Sequence, residues 1–205
     1  MLLKLYDQNP DPRQVRKIVE LLEYGGVIIY PTDTVYGMGC DITKARAVER
    51  VARIKGIKPE KARFSFLCSD LSHISDYARH VDNQTFKLMN SYLPGPYTFI
   101  LNASHQVPKS IKQKRKTVGI RVPDNNIILE IIRQLGHPIL TTSLKKDDQI
   151  LEYPTDPELI YEEYKDLVDV VIDGGYGGIV PSTILDCSGD EPEVIREGLG
   201  EVDGY

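Results

Sequence analysis

A single α/β domain, built on a twisted mixed sheet with flanking helices, is the fold class this sequence predicts. Three observations carry it. Segments with strand character and segments with helical periodicity alternate along the chain, with some strand-to-strand steps. The 205 residues contain no Ser/Gly-rich linker, composition break, internal repeat or low-complexity tract, so one domain over 1–205, with a core of about 11–198, is the simpler division. Hydrophobic residues make up 41% and charged residues 27%, the balance of a soluble globular chain able to bury a sizeable core.

The first helix is signposted by Asp11 as its cap, Pro12 in its first turn and an apolar stripe of Val15, Ile18, Val19 and Leu22. Gly25 and Gly26 end it, and "VIIY" reads as a buried strand. The following "YPTDTVYGMGCD" reads as a tight strand-to-helix loop, in which Gly37 and Gly39 allow close backbone approach or a positive φ. Thr43 can open a second helix, whose Val48, Val51, Ala52 and Ile54 face the core and which Gly56 stops. "FSFLC" predicts a strand, and "LSHISDYA" and "NQTFKLMNSYL" predict two short helices, the second capped by Asp82 and broken by "LPGP". "YTFILNA" and "TVGIRVP" read as strands on either side of a basic loop, "SHQVPKSIKQKRK". "IILEIIRQLG" is a helix closed by Gly136, and "PILTTS" is a strand. Asp156 and Pro157 open a last helix, "PELIYEEYKDL", and "VDVVIDGG", "STILDCS" and "EVIREG" finish the chain as strands.

Composition narrows the function classes. The apolar runs are far too short to cross a bilayer, which argues against a membrane partner, and the N-terminus shows no secretory pattern. Cys40, Cys68 and Cys187 are scattered, and the four histidines have no metal-ligand spacing. These features predict buried thiols in a reducing cytoplasm, with no metal site and no disulfide framework. The net charge of −5 hides a segregated distribution. Arg50, Arg53, Lys55, Lys58, Lys61 and Arg63 crowd one stretch; Lys109, Lys112, Lys114, Arg115, Lys116 and Arg121 crowd another. A chain acidic overall can therefore carry a basic cleft.

The chemistry-bearing residues cluster at strand ends. "PTDT" ends one strand in hydroxyls, at the edge where α/β sheets bind ligands. It fails both the dinucleotide fingerprint, for want of a third glycine, and the phosphate-loop pattern, for want of Gly-Lys-Ser/Thr. "LTTSLKK" ends another strand in hydroxyls followed by Lys145 and Lys146, and "PSTILD" starts one with Ser182 and Thr183. Arg121 lies among apolar neighbours and must project to a site or find a carboxylate, because unpaired burial is too costly. Each hydroxyl alone reads as a strand-end cap. As a set with the cations they suit carboxylate, phosphate or ribose. No histidine is paired with a nucleophilic Ser or Cys at telling spacing, so positioning and electrostatic stabilisation fit better than covalent catalysis.

"GGVIIYPTDTVYGMGCD", "LPGPYTFIL", "TVGIRVPDN", "ILTTS" and "PSTILD…VIREG", in this order and spacing, resemble the YrdC/YciO-type family from about Gly25 to Gly198. The resemblance implies a twisted α/β sheet with a basic concave surface. It implies L-threonylcarbamoyladenylate synthesis from L-threonine, bicarbonate and ATP with Mg2+, feeding threonylcarbamoyladenosine in tRNA, and it brings an association with double-stranded RNA. By the same resemblance Thr32, Thr34, Arg121 and Ser182 would hold a threonine-like ligand. Thr117, Thr142, Ser143 and Arg196 would hold nucleotide, and Lys55 and Lys58 would act in catalysis. Lys109, Lys112, Lys114, Arg115 and Lys116 would contact RNA phosphates. The chain departs from the synthase pattern in three places. "KGIKP" keeps Lys55 but sets Lys58 where synthases have Arg, "SLKK" sets Lys145 where they have Asn, and Cys68 replaces a histidine. These departures resemble the YciO branch. Two readings are therefore open: an adenylate-forming enzyme, or a paralogue that binds nucleotide or double-stranded RNA.

Overall fold

The computed structural model describes residues 1–58, 62, 64–72, 74–108, 116–144 and 153–202. Among these, one mixed sheet contains β1 (Leu2–Lys4), β2 (Val27–Tyr30), β3 (Gly37–Asp41), β4 (Ser65–Leu67) and β5 (Tyr97–Asn102). It continues with β6 (Thr117–Arg121), β7 (Ile139–Ser143), β8 (Val170–Asp173), β9 (Thr183–Asp186) and β10 (Glu193–Arg196). The spatial order is β1-β8-β2-β3-β7-β4-β6-β5-β9-β10. β1–β8, β8–β2, β4–β6 and β5–β9 are parallel pairs, and the other pairs are antiparallel. The helices are α1 (Pro12–Glu23), α2 (Ala45–Ile54), α3 (Ile74–Tyr77), α4 (Asn83–Tyr92), α5 (Asn126–Leu135) and α6 (Pro157–Tyr164).

The helix signals in the sequence act as read. Asp11 accepts from the Arg13 amide, and the buried stripe of α1 is Val15, Ile18, Val19 and Leu22. Asp82 caps α4 by accepting from the Thr85 amide, and Asp156 caps α6 from Glu158. Gly136 closes α5 with a φ of 81°, a left-handed geometry in which a Cβ is disfavoured.

Two expectations need correcting. "GMGCD" is strand β3, paired antiparallel with β2 from Val27↔Cys40 to Tyr30↔Gly37, so "PTDTVY" is the connection of a β-hairpin and not a strand-to-helix loop. The second helix starts at Ala45: Thr43 lies in the turn before it, its amide and hydroxyl both donating to Asp41 Oδ1 at 2.7 Å, and the cap position, Lys44, makes no side-chain cap bond. β1 pairs with β8 although it precedes residue 11.

The two faces of the sheet are packed unequally, and this creates the site. On one face Met38, Cys40, Phe66, Phe99, Leu101, Val118, Ile120, Leu140 and Leu185 join residues of α2, α4 and α6 in a single buried cluster. Each such Leu, Ile or Phe contributes about 1.5–3 kcal/mol by leaving water. On the other face α1 and α5 bury Ile28, Tyr30, Val170 and Ile172, and reach only Leu67 of β4 and Ile139 of β7. Beyond those two side chains no described helix covers this second face.

Candidate functional site

Strand alternation places small and polar residues on the uncovered face. The pairing runs in register across seven residues: Gly39↔Thr141↔Ser65↔Gly119↔Ile100↔Asp186↔Glu193. A parallel row contains Leu67↔Arg121 and Thr98↔Ile184↔Arg196. Ser65, Thr141 and Asp186 are half-buried, Thr98 and Arg121 are buried, and Glu193 and Arg196 at the edge strand are exposed; on the opposite face Phe66, Leu140, Ile120, Phe99 and Leu185 are fully buried. The glycines keep this floor flat. A Cβ at Gly39 would lie 2.1 Å from the Leu140 carbonyl oxygen, and one at Gly119 would lie 2.4 Å from Ser65 Oγ. For Gly39 and Gly37, whose φ angles are not positive, close approach is thus the reason for the glycine.

The 31–36 connection meets Arg121, at the end of β6. Arg121 is 8% exposed, and its Nη2 donates to Thr34 Oγ1 at 2.7 Å and Thr32 Oγ1 at 3.4 Å, and forms an ion pair with Asp33 Oδ1. Burying a guanidinium is tolerable only when it is paired and hydrogen-bonded; Asp33 supplies the countercharge and the two threonine hydroxyls share the Nη2 hydrogens with it. The turn holds its own shape: Thr32 Oγ1 accepts from the Thr34 amide at 3.0 Å and donates to the Val35 carbonyl at 2.8 Å. Two buried atoms of the ion pair, Asp33 Oδ2 and Arg121 Nε, have no hydrogen-bond partner among the described residues.

A second polar group stands beside it. Ser182 Oγ lies 2.9 Å from Thr98 Oγ1, and Arg196 grips Ser182 through Nε and Nη2 to its carbonyl at 3.1 and 2.7 Å and through Nη2 to its hydroxyl at 3.2 Å. Burial pulls the Arg196 pKa down; Tyr153 opposes this, and the field of Arg121 adds to it. The two arginines therefore sense one another, an arrangement that attracts anions. Tyr30 lies over the floor, donating to Thr141 Oγ1 at 2.6 Å, and burial raises its pKa well above the usual phenol range.

The structure gathers Thr32, Thr34 and Arg121 at one place and Ser182 with Arg196 at another. Lys55 is buried and donates to the Ser143 carbonyl at 3.0 Å, so those two residues also meet. Thr117 shares the strand and face of Arg121 but stands four residues away, about 13 Å along the strand. Thr142 pairs with Met38 and so turns its side chain to the opposite face from Thr141 and Ser143. Lys58 and Lys116 are exposed. Lys109, Lys112, Lys114, Arg115 and Lys145 lie outside the described residues. Sequence reasoning missed Thr98, Thr141, Ser65 and Asp33. Alternation in "YTFIL" would have placed Thr98 on the face of Arg121, whereas the partners of Asp33 had no sequence signal.

Among the described residues no group of three or more His, Cys, Asp or Glu side chains is placed to hold a metal ion. All three cysteines are buried free thiols; burial pushes Cys40 and Cys68 up to about 12 and Cys187 up to about 11, so they are protonated near neutral pH.

This sheet, with a hydroxyl-rich hairpin turn docked on a strand-end arginine, defines a class. The Sua5/YciO/YrdC family model, described as "Telomere recombination", matches residues 20–198, and the chain belongs to that family. It is 43% identical over 200 residues to YciO of Escherichia coli strain K12, covering 97% of this chain and 95% of that protein. The crystal structure of E. coli YciO superposes with a TM-score of 0.91 over 99% of this chain and 98% of that one. Identity to the threonylcarbamoyl-AMP synthase of Bacillus subtilis strain 168 is 30%, over 92% of this chain and 54% of the synthase. The P. abyssi Sua5 structure complexed with L-threonine gives a TM-score of 0.88 at 25% identity, over 97% of this chain and 57% of that one. The chain thus spans little more than half the length of these two relatives. Among the described residues no helix is long and apolar enough to cross a membrane.

Proposed function

We propose that this single YrdC-like domain, residues 1–205, converts L-threonine, bicarbonate and ATP to L-threonylcarbamoyladenylate, pyrophosphate and water, in a cytoplasmic route to threonylcarbamoyladenosine in tRNA. The observation that carries the reading is the docking of the Thr32–Thr34 turn on Arg121, beside Ser182 and a second arginine. Arg121 receives the carboxylate of the amino acid, and Thr32, Thr34 and Ser182 supply hydroxyl contacts. Arg196, Ser143 and Thr117 take the nucleotide along the floor, with Thr142 contributing through its backbone. Lys55 and Lys58 neutralise charge at the transferring phosphorus, and Mg2+ arrives as the ATP complex. The similarity to a threonylcarbamoyl-AMP synthase and to a Sua5 structure holding L-threonine supports the choice of ligand.

The test is pyrophosphate release from ATP with the purified chain. Release that requires both L-threonine and bicarbonate is expected. Binding of both ligands without product would refute the enzyme and favour a second reading, a nucleotide- or double-stranded-RNA-binding paralogue. The observation favouring that paralogue is Lys58, exposed and unable to form the bidentate fork of an arginine. In that case RNA affinity falls steeply with salt, and neutralising Lys114, Arg115 and Lys116 flattens the slope.

A further inference from the structure

Of the hydroxyls in the 31–36 connection, those of Thr32 and Thr34 meet Arg121, and the third, on Tyr36, is engaged elsewhere. Tyr36 is 1% exposed; its phenol donates to the Gly175 carbonyl at 2.7 Å and accepts from the Gly174 amide at 3.2 Å. Burial pushes its pKa up to about 12, so the donated proton stays in place at neutral pH. Both partners belong to "GGYGG", residues 174–178, directly after β8. At the far end of that segment the Gly178 amide donates to the Thr34 carbonyl at 2.8 Å. Between the two attachments the segment lies too close to the turn for side chains. A Cβ at Gly177 would stand 2.6 Å from Tyr36 Cδ2, and one at Gly178 would stand 2.5 Å from the Thr34 carbonyl oxygen. The same Thr34 presents Oγ1 to Arg121 Nη2 at 2.7 Å. Beyond the segment, Pro181 leads into Ser182, which Arg196 grips. One short strap therefore connects the two polar groups of the cleft.

We infer that Tyr36 is a positioning residue of this site: it clamps the 174–178 strap onto the hairpin turn and so fixes where Thr34 meets Arg121. The other bonds of the strap among the described residues run from the Gly175 amide to Asp173 Oδ1 and from the Gly177 amide to the Thr155 carbonyl, and neither reaches the turn. Without the phenol, the Gly174 amide and the Gly175 carbonyl lose their bonds to the turn. Four glycines in five residues then give the strap back much of its backbone freedom, and the Gly178 bond transmits that motion to Thr34. The inference rests on the amino-acid reading of this cleft and adds to it the part that holds the turn in place.

Arginine side-chain NMR on the purified chain tests the clamp without any ligand. Arg121→Lys assigns the Arg121 Nη signals, and Arg50, which donates to Asp169 and to the Leu167 carbonyl, is the control for folding. In the wild type the Arg121 Nη hydrogens are expected to exchange slowly with water. In Tyr36→Phe they are expected to exchange about 3- to 10-fold faster, as for one lost neutral hydrogen bond, while Arg50 keeps its rate. Gly178→Ala, which pushes on Thr34 from the other end of the strap, is expected to do the same. Titration with L-threonine is expected to show binding about 3- to 10-fold weaker in Tyr36→Phe, at a folded fraction equal to that of the wild type. Arg121 exchange that is fast in the wild type, unchanged in either variant, or accelerated no more than that of Arg50 overturns the positioning role. So does an L-threonine affinity that Tyr36→Phe leaves unaltered. A wild type that fails to bind L-threonine at millimolar concentration overturns the amino-acid reading, and the exchange rates then decide the role of Tyr36 alone.

Discussion

Arg121 gathers Asp33, Thr32 and Thr34 on Nη2 while holding a further N–H donor, Nε, in the same rigid plane. Lysine carries the same charge as a point and lacks the fork that engages a carboxylate through two nitrogens. Arg121→Lys is therefore expected to weaken L-threonine by about 10- to 100-fold, the equivalent of ~1.5–3 kcal/mol for a charged hydrogen bond, in a calorimetric titration of the purified chain. An unchanged affinity would show that the amino acid is held elsewhere. At this scale the sequence was informative about Arg121 itself: a cation inside an apolar strand needs a partner, and the structure supplies Asp33, Thr32 and Thr34. It was silent about which acid would answer, because the partner lies 88 residues away.

At the scale of elements, the β2–β3 hairpin was the principal miss. Glycine is poor in strands by propensity, and two of them in "GMGCD" read as punctuation. The tertiary neighbours reverse that reading: the Leu140 carbonyl and the Tyr30 hydroxyl come so close to Gly39 that only hydrogen fits. Gly39→Ala is expected to cost about 1–3 kcal/mol through the clash with a backbone atom that cannot swing away. A fall of several degrees in Tm checks it; a wild-type Tm would mean that β3 and β7 are further apart than described. The helices were legible in advance because their signals are local. The Asp11, Asp82 and Asp156 caps, the stripe of α1 and the glycine after α5 each act within one or two turns.

For the whole molecule, the buried thiols couple the core to pH. Burial raises Cys40 and Cys68 to about 12 and Cys187 to about 11, above the ~8.5 of a free thiol. Above about pH 8.5 the unfolded chain loses these protons while the folded chain keeps them, so the stabilisation present below that pH declines as pH rises toward the folded values. Urea unfolding between pH 8 and 10 is expected to show this decline, with a shallower slope in a variant carrying alanine at all three positions. Equal slopes would assign the alkaline loss to other groups. The sequence by itself determined the fold class, most elements, the caps and the strand-end hydroxyls, because periodicity, capping and turn chemistry act over a few neighbouring residues. Only the tertiary structure decided which face of the sheet is left uncovered, that Gly39 and Gly119 flatten it, and that Asp33 closes on Arg121. Those outcomes depend on strand order and register, which bring together residues far apart in the chain.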